Sequence, residues 1–326
     1  MLIEASLYIF GVFAVVLSNS SKVISSTLVL IAVCFLYILS ASFSDPQVDM
    51  QVYYRRMLEF RPYMASEFLY YGMTFYLYKI FGNQSVVVSI INIAMLVLVY
   101  SKINRCLGRR YTVLFLALIV FSFVGVLGAQ NVYRQFLASL FLLISYSHIV
   151  NKEDVRGSFY FLIALFIHNA SLIFFPVLAA IFIARMFRQK ALVYFVCYIC
   201  VSVVLYVYFQ ADVQFKSSVD TGGNYLGLYW FLCLSLLGVF SSLKLCRIRR
   251  IVPATLFLVI CLPMFFFSQG STGGERVFML LFPVILFEYF CGVHLIKVRR
   301  VVLHYAVIGV FCVPTMLFFS SRQFLL

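Results

Sequence analysis

The feature that most constrains this chain is a succession of long apolar runs separated by short polar or basic segments. A helix that crosses a membrane needs about 20 mostly apolar residues. We predict helices at Leu2–Leu17, Ile24–Phe43, Gln84–Ser101, Tyr111–Gly128, Gln130–Ile149, Ala191–Phe209, Tyr225–Leu243, Val252–Ser268, Val277–Leu295 and Val301–Ser320. Only 11% of the 326 residues are charged, against about 25% in soluble domains. The pattern predicts an all-α, polytopic integral membrane protein, with residues 1–326 as a single transmembrane domain of roughly 11–13 transmembrane or re-entrant helices.

The basic residues indicate which side of the membrane each loop occupies. Lys and Arg concentrate in short cytoplasmic loops of membrane proteins. Most of the 25 basic residues lie in the short segments 102–110, 152–156, 185–190, 244–250 and 297–300. We therefore predict that these loops lie inside and that both termini lie outside. The net charge of +14 then reflects membrane orientation, and no nucleic-acid partner is expected.

Residues 157–184 are too long for one crossing helix and too short for two. The basic loops share one side only if this stretch enters the membrane and returns. Each leg of about 14 residues would reach roughly 21 Å, less than the ~30 Å hydrocarbon thickness. The midpoint, His168 and Asn169, should therefore lie at the floor of an outward-facing cavity. An ionisable group at that depth is a functional candidate; the alternative is a structural histidine bonded to a neighbouring carbonyl.

The stretch GVLGAQNVYRQFLA at Gly125–Ala138 joins two apolar runs with almost no loop. Its two glycines can supply a turn, and we predict that the next helix starts near Gln130 or Asn131. The face formed by residues three or four apart consists of Asn131, Arg134, Gln135 and Ala138. A helix N-terminus attracts anions, so this face is predicted to hold a diphosphate. The alternative is that Arg134 extends to a lipid headgroup.

The outer segment 44–67 is the most charged one on that side. We predict an interfacial helix over Met50–Phe60, with Met57, Leu58 and Phe60 in lipid. The candidate site residues in this segment are Asp49, Tyr53, Arg55, Arg56 and Glu67. Asp49 and Tyr53 share a helix face because they are four residues apart. The alternative is a solvated amphipathic helix with no role in a site.

The aromatic run after Glu67, ending at Phe81, is too short to cross the membrane untilted, and its tyrosines suit the headgroup region. Farther along, the segment QGSTGGER at Gln269–Arg276 is predicted to be a turn, with Glu275 and Arg276 opening the next helix. Its alternative is an exposed loop with a weak ion pair. Glu288 lies within an apolar run and needs an interior partner.

The nine cysteines lie in apolar runs or beside basic loops. The one C-x-x-C pair, Cys197 and Cys200, falls inside an apolar run, where free cysteine usually serves packing. Neither a disulfide framework nor a metal site is expected.

The order of these motifs resembles the EpsG-like branch of bacterial polysaccharide polymerases, the Wzy-type O-antigen and exopolysaccharide polymerases. The resemblance rests on D-x-x-x-Y at Asp49–Tyr53, Glu67 before an aromatic run, N-x-x-R-Q-x-x-A at Asn131–Ala138, F-x-H-x-A-S-L-I at Phe166–Ile173, and the late pair Glu275-Arg276. These motifs span most of the chain.

The resemblance implies a multi-pass protein of the bacterial inner membrane whose active site faces the periplasm or outer side. Its fold would be similar to that of membrane-embedded, lipid-linked glycosyltransferases. It would join undecaprenyl-diphosphate-linked oligosaccharide repeats in lipopolysaccharide or exopolysaccharide biosynthesis, without a cofactor. Membrane lipid and a chain-length regulator are the further partners to be expected.

That chemistry gives each candidate a role. A cation must stabilise the leaving diphosphate, and Arg134 is the first choice, with Arg276 and Arg55 or Arg56 as helpers. A base must take the proton of the attacking sugar hydroxyl. Asp49 and His168 are the candidates, and we favour Asp49 as base, with His168 orienting the hydroxyl or the phosphate. Glu67 is expected to position the sugar or to act as the base instead. The remaining predicted substrate-binding residues are Tyr53, Asn131, Gln135, Asn169 and Glu275.

Two other functions fit parts of the pattern. A lipid-linked glycan ligase uses the same donor but usually has a larger outer loop. A polysaccharide flippase or transporter commonly contains internal repeats, and the sequence shows none.

The topology is testable with reporter fusions. A fusion at Arg109 should report a cytoplasmic position and a fusion at Asp220 an outside position, since the positive-inside rule orients the chain that way. Alkaline phosphatase and green fluorescent protein activities measure this. The opposite pattern would overturn the placement of His168 in an outward cavity.

Overall fold

The computed structural model describes residues 2–20, 24–43, 48–59, 67–130, 132–187, 190–211 and 253–295, and its regular elements are all helical. The α-helices in chain order are α1 Leu2–Ser20, α2 Ile24–Phe43, α3 Val48–Leu58, α4 Phe68–Phe81, α5 Gln84–Leu107, α6 Arg109–Phe121, α7 Phe123–Gln130, α8 Tyr133–Val150, α9 Asp154–Ile167, α10 Phe175–Met186, α11 Lys190–Ala211 and α12 Pro253–Leu295. A 3₁₀ helix, Asn169–Phe174, connects α9 to α10. The all-α prediction is confirmed for this part of the chain, and the predicted runs Tyr225–Leu243 and Val301–Ser320 lie outside it.

Large apolar side chains point outward from several helices. Phe13 of α1, Leu36 of α2 and Val204 of α11 are all more than half exposed. Two described helical stretches, Gln84–Leu107 and Asn169–Met186, are long and apolar enough to cross a membrane. Shorter apolar helices are Ala5–Val16, Leu28–Phe43, Tyr111–Phe121 and Leu192–Val204. An apolar outer surface of this kind suits contact with lipid rather than water, and it indicates a membrane protein.

Three of the basic loops lie at one end of the helix bundle, as predicted. Arg185, near the end of α10, donates to both carboxylate oxygens of Asp154 at 2.7 Å, and Asp154 begins α9. The side-chain amide of Asn151 donates to Sγ of Cys106 at 3.2 Å. The stretch from α9 to α10 therefore enters the bundle and returns to the same end, with its break at His168.

The predicted run Tyr111–Gly128 is not one helix. α6 ends at Phe121 because Ser122 adopts an extended backbone, and its Oγ accepts a hydrogen bond from the N–H of Gly125 at 3.2 Å. Serine is a preferred N-cap, so it starts α7. Because α7 continues through Gln130, α8 starts at Tyr133 rather than near residues 130–131.

Gly125 and Gly128 lie inside α7, where they permit close packing instead of forming a turn. A Cβ at Gly125 would lie 1.9 Å from the carbonyl oxygen of Ile119. A Cβ at Gly128 would lie 2.7 Å from the Cβ of Phe136. Only glycine allows α7 to approach the end of α6 and the start of α8 this closely.

α12 has helical backbone from Pro253 to Leu295, so the predicted helix start at Glu275 and Arg276 is wrong. The N–H of Ala254 nevertheless donates to Oε1 of Glu288 at 2.9 Å. A straight helix would separate these residues by about 51 Å, at 1.5 Å per residue. The chain therefore reverses direction between them, in agreement with the predicted turn between two apolar runs.

Glu288 has the interior partners that its position in an apolar run requires. It is buried, and its carboxylate accepts hydrogen bonds from the N–H groups of Ala254 and Thr255 and from the hydroxyls of Thr255 and Tyr146. These amides belong to the first turn of α12, whose positive end favours a carboxylate. Glu288 thus joins both legs of α12 to α8.

α3 buries one of the side chains that were expected in lipid. Met50, Tyr53 and Met57 are buried because their spacing turns them towards one side of the helix, and α3 packs against α4. The placement of Met57 in lipid is therefore wrong. Leu58 is exposed, and Phe60 lies outside the described residues.

α4 does not cross the bundle. Glu67, which precedes it, contacts Arg134 at the start of α8. Gln84, which follows it, donates from Nε2 to the carbonyl oxygen of Tyr54 at 3.0 Å. Tyr53, beside Tyr54, lies against Arg134. Both ends of α4 are therefore at the same end of the bundle, opposite the described basic loops.

The close approach of α7 predicts unequal effects of two alanine substitutions. Gly125→Ala should destabilise the detergent-solubilised protein by about 1–3 kcal/mol, because the new methyl group meets fixed backbone. Thermal unfolding followed by size-exclusion chromatography measures this. The control is Gly72→Ala in α4, where a Cβ meets nothing within 4 Å; it should keep or raise stability, since alanine favours helix. Equal stability of the two variants would contradict the packing.

Candidate functional site

The centre of the candidate site is the carboxylate of Glu67, which is only 7% exposed. Its Oε2 accepts a hydrogen bond from Nη1 of Arg134. Its Oε1 lies 2.7 Å from Nδ1 of His168 and accepts a hydrogen bond from the backbone N–H of Asn169 at 3.3 Å. One buried carboxylate thus joins three segments that are far apart in sequence.

Local structure aims each of these side chains at the same point. Glu67 precedes α4 but makes no capping hydrogen bond to that helix, so its carboxylate is available to α8. Arg134 is the second residue of α8, whose N-cap residue, Val132, makes no side-chain capping hydrogen bond. His168 has extended backbone between α9 and the 3₁₀ helix. The break there turns the histidine towards Glu67 and leaves the N–H of Asn169 free of the α9 ladder.

Two aromatic rings surround the guanidinium of Arg134. Its Cζ lies 5.0 Å from the centroid of Tyr53 and 5.3 Å from that of Tyr71. The negative faces of aromatic rings attract a cation, most strongly where water is scarce. Nε of Arg134 is buried and has no hydrogen-bond partner in the described part of the chain. The guanidinium is therefore held in place while retaining an unused donor.

A second arginine approaches from α3. Nη1 of Arg56 donates to Oη of Tyr71 at 2.6 Å, and its Cζ lies 5.6 Å from the centre of that ring. The neighbouring Arg55 points to the other side of α3 and is exposed. Of the two cations that the sequence offered as helpers, Arg56 is the one that contacts the cluster.

Gln135 connects the cluster to α12. Its Nε2 donates to the backbone carbonyl oxygen of Arg276, which places that residue beside the start of α8 although it does not open a helix. The side chain of Arg276 is exposed. Asn131 and the side chain of Glu275 lie outside what the structure describes.

The structure thus brings most of the predicted site residues to one end of the bundle. The connected ones are Tyr53, Arg56, Glu67, Arg134, Gln135, His168, Asn169 and Arg276. Asn169 contributes its backbone N–H, and its side chain is exposed. Asp49 lies one turn before Tyr53 in α3. Arg55 is not brought to the cluster.

Sequence reasoning missed Tyr71, which touches both arginines, and assigned Glu67 only to sugar positioning or base catalysis. One signal was available for Tyr71: it follows Glu67 by four residues, so the two share a face at the start of α4. No group of three or more His, Cys, Asp or Glu side chains suited to a metal ion occurs within the described residues.

The arrangement combines a fixed cation with a histidine held by a carboxylate. Because Nδ1 of His168 faces Glu67, Nε2 is the ring nitrogen left to meet another group. Arg134 offers donors suited to phosphate oxygens, as does the uncapped first turn of α8. A site of this composition can bind an anion and move a proton beside it.

Comparison with known protein families decides the wider assignment. The model of the EpsG family matches residues 26–325, nearly the whole chain. The chain belongs to the EpsG family. This membership confirms the family suggested by the motif order, and it supports a polymerase-type role in polysaccharide biosynthesis. Comparisons with curated proteins and with solved structures found no match.

Because Glu67 pairs with Arg134, we expect substitutions of these two residues to have strongly coupled effects on the stability of this EpsG-family protein. Glu67→Gln and Arg134→Gln should each lower stability, because each leaves a partly buried charge without its partner. The double variant should lose less unfolding free energy than the two single variants lose together, and the difference, the coupling energy, should be about 1–3 kcal/mol.

Thermal unfolding of the four proteins measures this cycle. Arg105→Gln, at an exposed position near the end of α5, is the control and should change stability by less than about 0.5 kcal/mol. Additive losses in the cycle would mean that the ion pair does not stabilise the protein.

Proposed function

We propose that the chain is a membrane glycosyltransferase that joins polyprenyl-diphosphate-linked oligosaccharide repeats at the outer face of the bacterial inner membrane. Family membership supports the polymerase class. The observation that carries the proposal is the shared carboxylate of Glu67, which holds a cation, Arg134, next to a histidine, His168. These are the two chemical groups that transfer from a lipid diphosphate to a sugar hydroxyl requires.

In the proposed reaction, the oxygen of an acceptor sugar hydroxyl attacks the anomeric carbon of the donor glycan. The bond between that carbon and the phosphate oxygen breaks, and the electron pair leaves with the polyprenyl diphosphate. The hydroxyl proton passes to a base. The grown glycan then remains on the carrier of the acceptor repeat, and one free polyprenyl diphosphate is released.

Arg134 stabilises the charge that develops on the leaving diphosphate. Electrostatic stabilisation of developing charge is usually the largest single contribution to catalysis, provided that the donors are fixed beforehand. The rings of Tyr53 and Tyr71 and the carboxylate of Glu67 hold the guanidinium in this way. The uncapped N-terminus of α8 adds amide donors and a favourable dipole.

His168 accepts the hydroxyl proton through Nε2. Its Nδ1 faces Glu67, so the carboxylate orients the ring and stabilises the imidazolium that forms. This geometry leads us to place the base at His168, with Asp49 as the alternative on α3. Glu67 itself is less suited to be the base, because Arg134 already occupies one of its oxygens.

The remaining residues suit sugar and membrane contacts. Tyr53 offers a ring beside the cation, and Asp49 lies one helical turn away on the same helix. Tyrosines of α4 lie near the site, where the headgroup region would be. The site lies at the end opposite the described basic loops, which supports an outward-facing site under the positive-inside rule.

The test is the length distribution of the surface glycan in a deletion strain that carries each variant. Arg134→Ala should abolish long chains and leave single capped repeats, because the leaving diphosphate loses its cation. Gel electrophoresis of the extracted glycan shows this directly. The control is Arg156→Ala, an exposed arginine at the opposite end, which should give normal chains at equal membrane abundance.

Purified protein in nanodiscs then separates the two base candidates. His168→Gln should lower kcat by about 10²–10⁴-fold, and Asp49→Asn should change it less. Normal chain length in Arg134→Ala would remove that residue from the mechanism. Complete loss of surface glycan in the deletion strain, rather than single repeats, would favour a ligase or a flippase over a polymerase.

A further inference from the structure

Two arginines from different helices meet on the ring of Tyr71. Arg134 at the start of α8 lies 5.3 Å from the ring centre, and Arg56 in α3 lies 5.6 Å from it. Their Cζ atoms are therefore no more than about 11 Å apart. Arg56 is fixed further because it donates to the hydroxyl of Tyr71 at 2.6 Å.

Like charges at such a distance repel each other unless something between them compensates. Tyr71 provides that compensation in two ways, since its ring face attracts a cation and its hydroxyl oxygen accepts a hydrogen bond. Glu67, one turn earlier, holds Arg134 from another side. The start of α4 thus presents one carboxylate and one tyrosine that together set the positions of two cations.

Tyr71 is itself held firmly. It is 3% exposed, and its ring packs edge-on against Tyr70, with centroids 5.2 Å apart. Tyr70 in turn packs against Tyr53 and Tyr133, at 5.9 and 6.2 Å. A ring fixed on several sides can hold both guanidinium groups in one arrangement before any ligand binds.

We propose that Tyr71 is a positioning residue that aims Arg56 and Arg134 at the two phosphoryl groups of one diphosphate. The pair then selects a diphosphate-linked carrier over a monophosphate-linked one, since a single phosphoryl group engages only one of the two cations. This inference rests on the proposed function, and it adds the residue that determines which lipid phosphate the site accepts.

Two substitutions at Tyr71 separate its contributions. Tyr71→Phe keeps the ring beside Arg134 and removes the acceptor for Arg56. Tyr71→Leu removes both interactions. If the hydroxyl aims Arg56 at the second phosphoryl group, only the first variant should lose the preference for diphosphate while keeping affinity for monophosphate.

The probes are polyprenyl diphosphate and polyprenyl monophosphate, bound to the full-length protein in nanodiscs. Wild type should bind the diphosphate more tightly. Tyr71→Phe should weaken diphosphate binding about ten-fold, the loss typical of one charge-assisted hydrogen bond, and leave monophosphate binding within about two-fold. Tyr71→Leu should weaken both.

A double variant provides a readout that a merely structural role would not change. Arg56→Ala should weaken diphosphate binding as much as Tyr71→Phe, and Arg56→Ala combined with Tyr71→Phe should add nothing further. The control is Tyr76→Phe, on the same helix but 68% exposed, which should match wild type with both probes.

Three outcomes would overturn the inference: equal affinity of wild type for both probes, an unchanged preference in Tyr71→Phe, or additive losses in the double variant. The proposed function is judged separately, by the glycan length of Arg134→Ala. The glycan-length test can therefore support polymerase activity even if the binding tests contradict the role of Tyr71. The reverse result would indicate a diphosphate-selective site in a protein that makes no polymer.

Discussion

The buried carboxylate of Glu67 imposes the main constraint on this structure. A charge taken out of water is tolerated only where it is paired and hydrogen-bonded. Glu67 meets that condition through Arg134, His168 and the N–H of Asn169, which come from α8 and from the break between α9 and the 3₁₀ helix. The same contacts hold together the ends of these elements that lie opposite the described basic loops, and they assemble the candidate site. Fold and site therefore depend on one set of interactions.

Much of the fold could be predicted from apolar length and charge placement. α2 has the predicted bounds, and the return of the chain at His168 follows from the need to keep the basic loops on one side. The break at Ser122 and the helical backbone through Gln269–Arg276 were missed for a different reason. Apolar periodicity does not reveal where a helix ends when tertiary contacts end it, although Ser122 is a recognisable N-cap. The reversal of α12 was predicted from two apolar runs, but the hydrogen bonds of Glu288 across it were not, because its partners are more than thirty residues away in sequence.

Most residues of the candidate site could be predicted from the sequence, but the contacts between them could not. Arg134 and His168 stood out because charged and ionisable groups are rare in apolar runs. Nothing in the sequence shows that Glu67 would join them, since it lies 67 residues from Arg134 and 101 from His168. Tyr71 was missed because a tyrosine in an aromatic run suits the membrane interface equally well. Its contact with two arginines follows from the packing of α3 and α8 around α4.

The arginines at the two ends of the bundle differ in their surroundings. This difference distinguishes arginines suited to orienting the chain in the membrane from the arginine suited to the proposed reaction. Arg156 is largely exposed and pairs with Glu153, whose pKa is lowered by hydrogen bonds from His148 and Arg156. Arg185 likewise pairs with the partly exposed Asp154. Such pairs join loops in water.

Arg134, about 25 Å away along α8, is enclosed by a buried carboxylate and two rings. A cation in low dielectric interacts more strongly with an incoming anion than a solvated one does. Among the described residues, the solvated cations thus suit the proposed orientation in the membrane, and the enclosed Arg134 suits the proposed binding of a lipid phosphate.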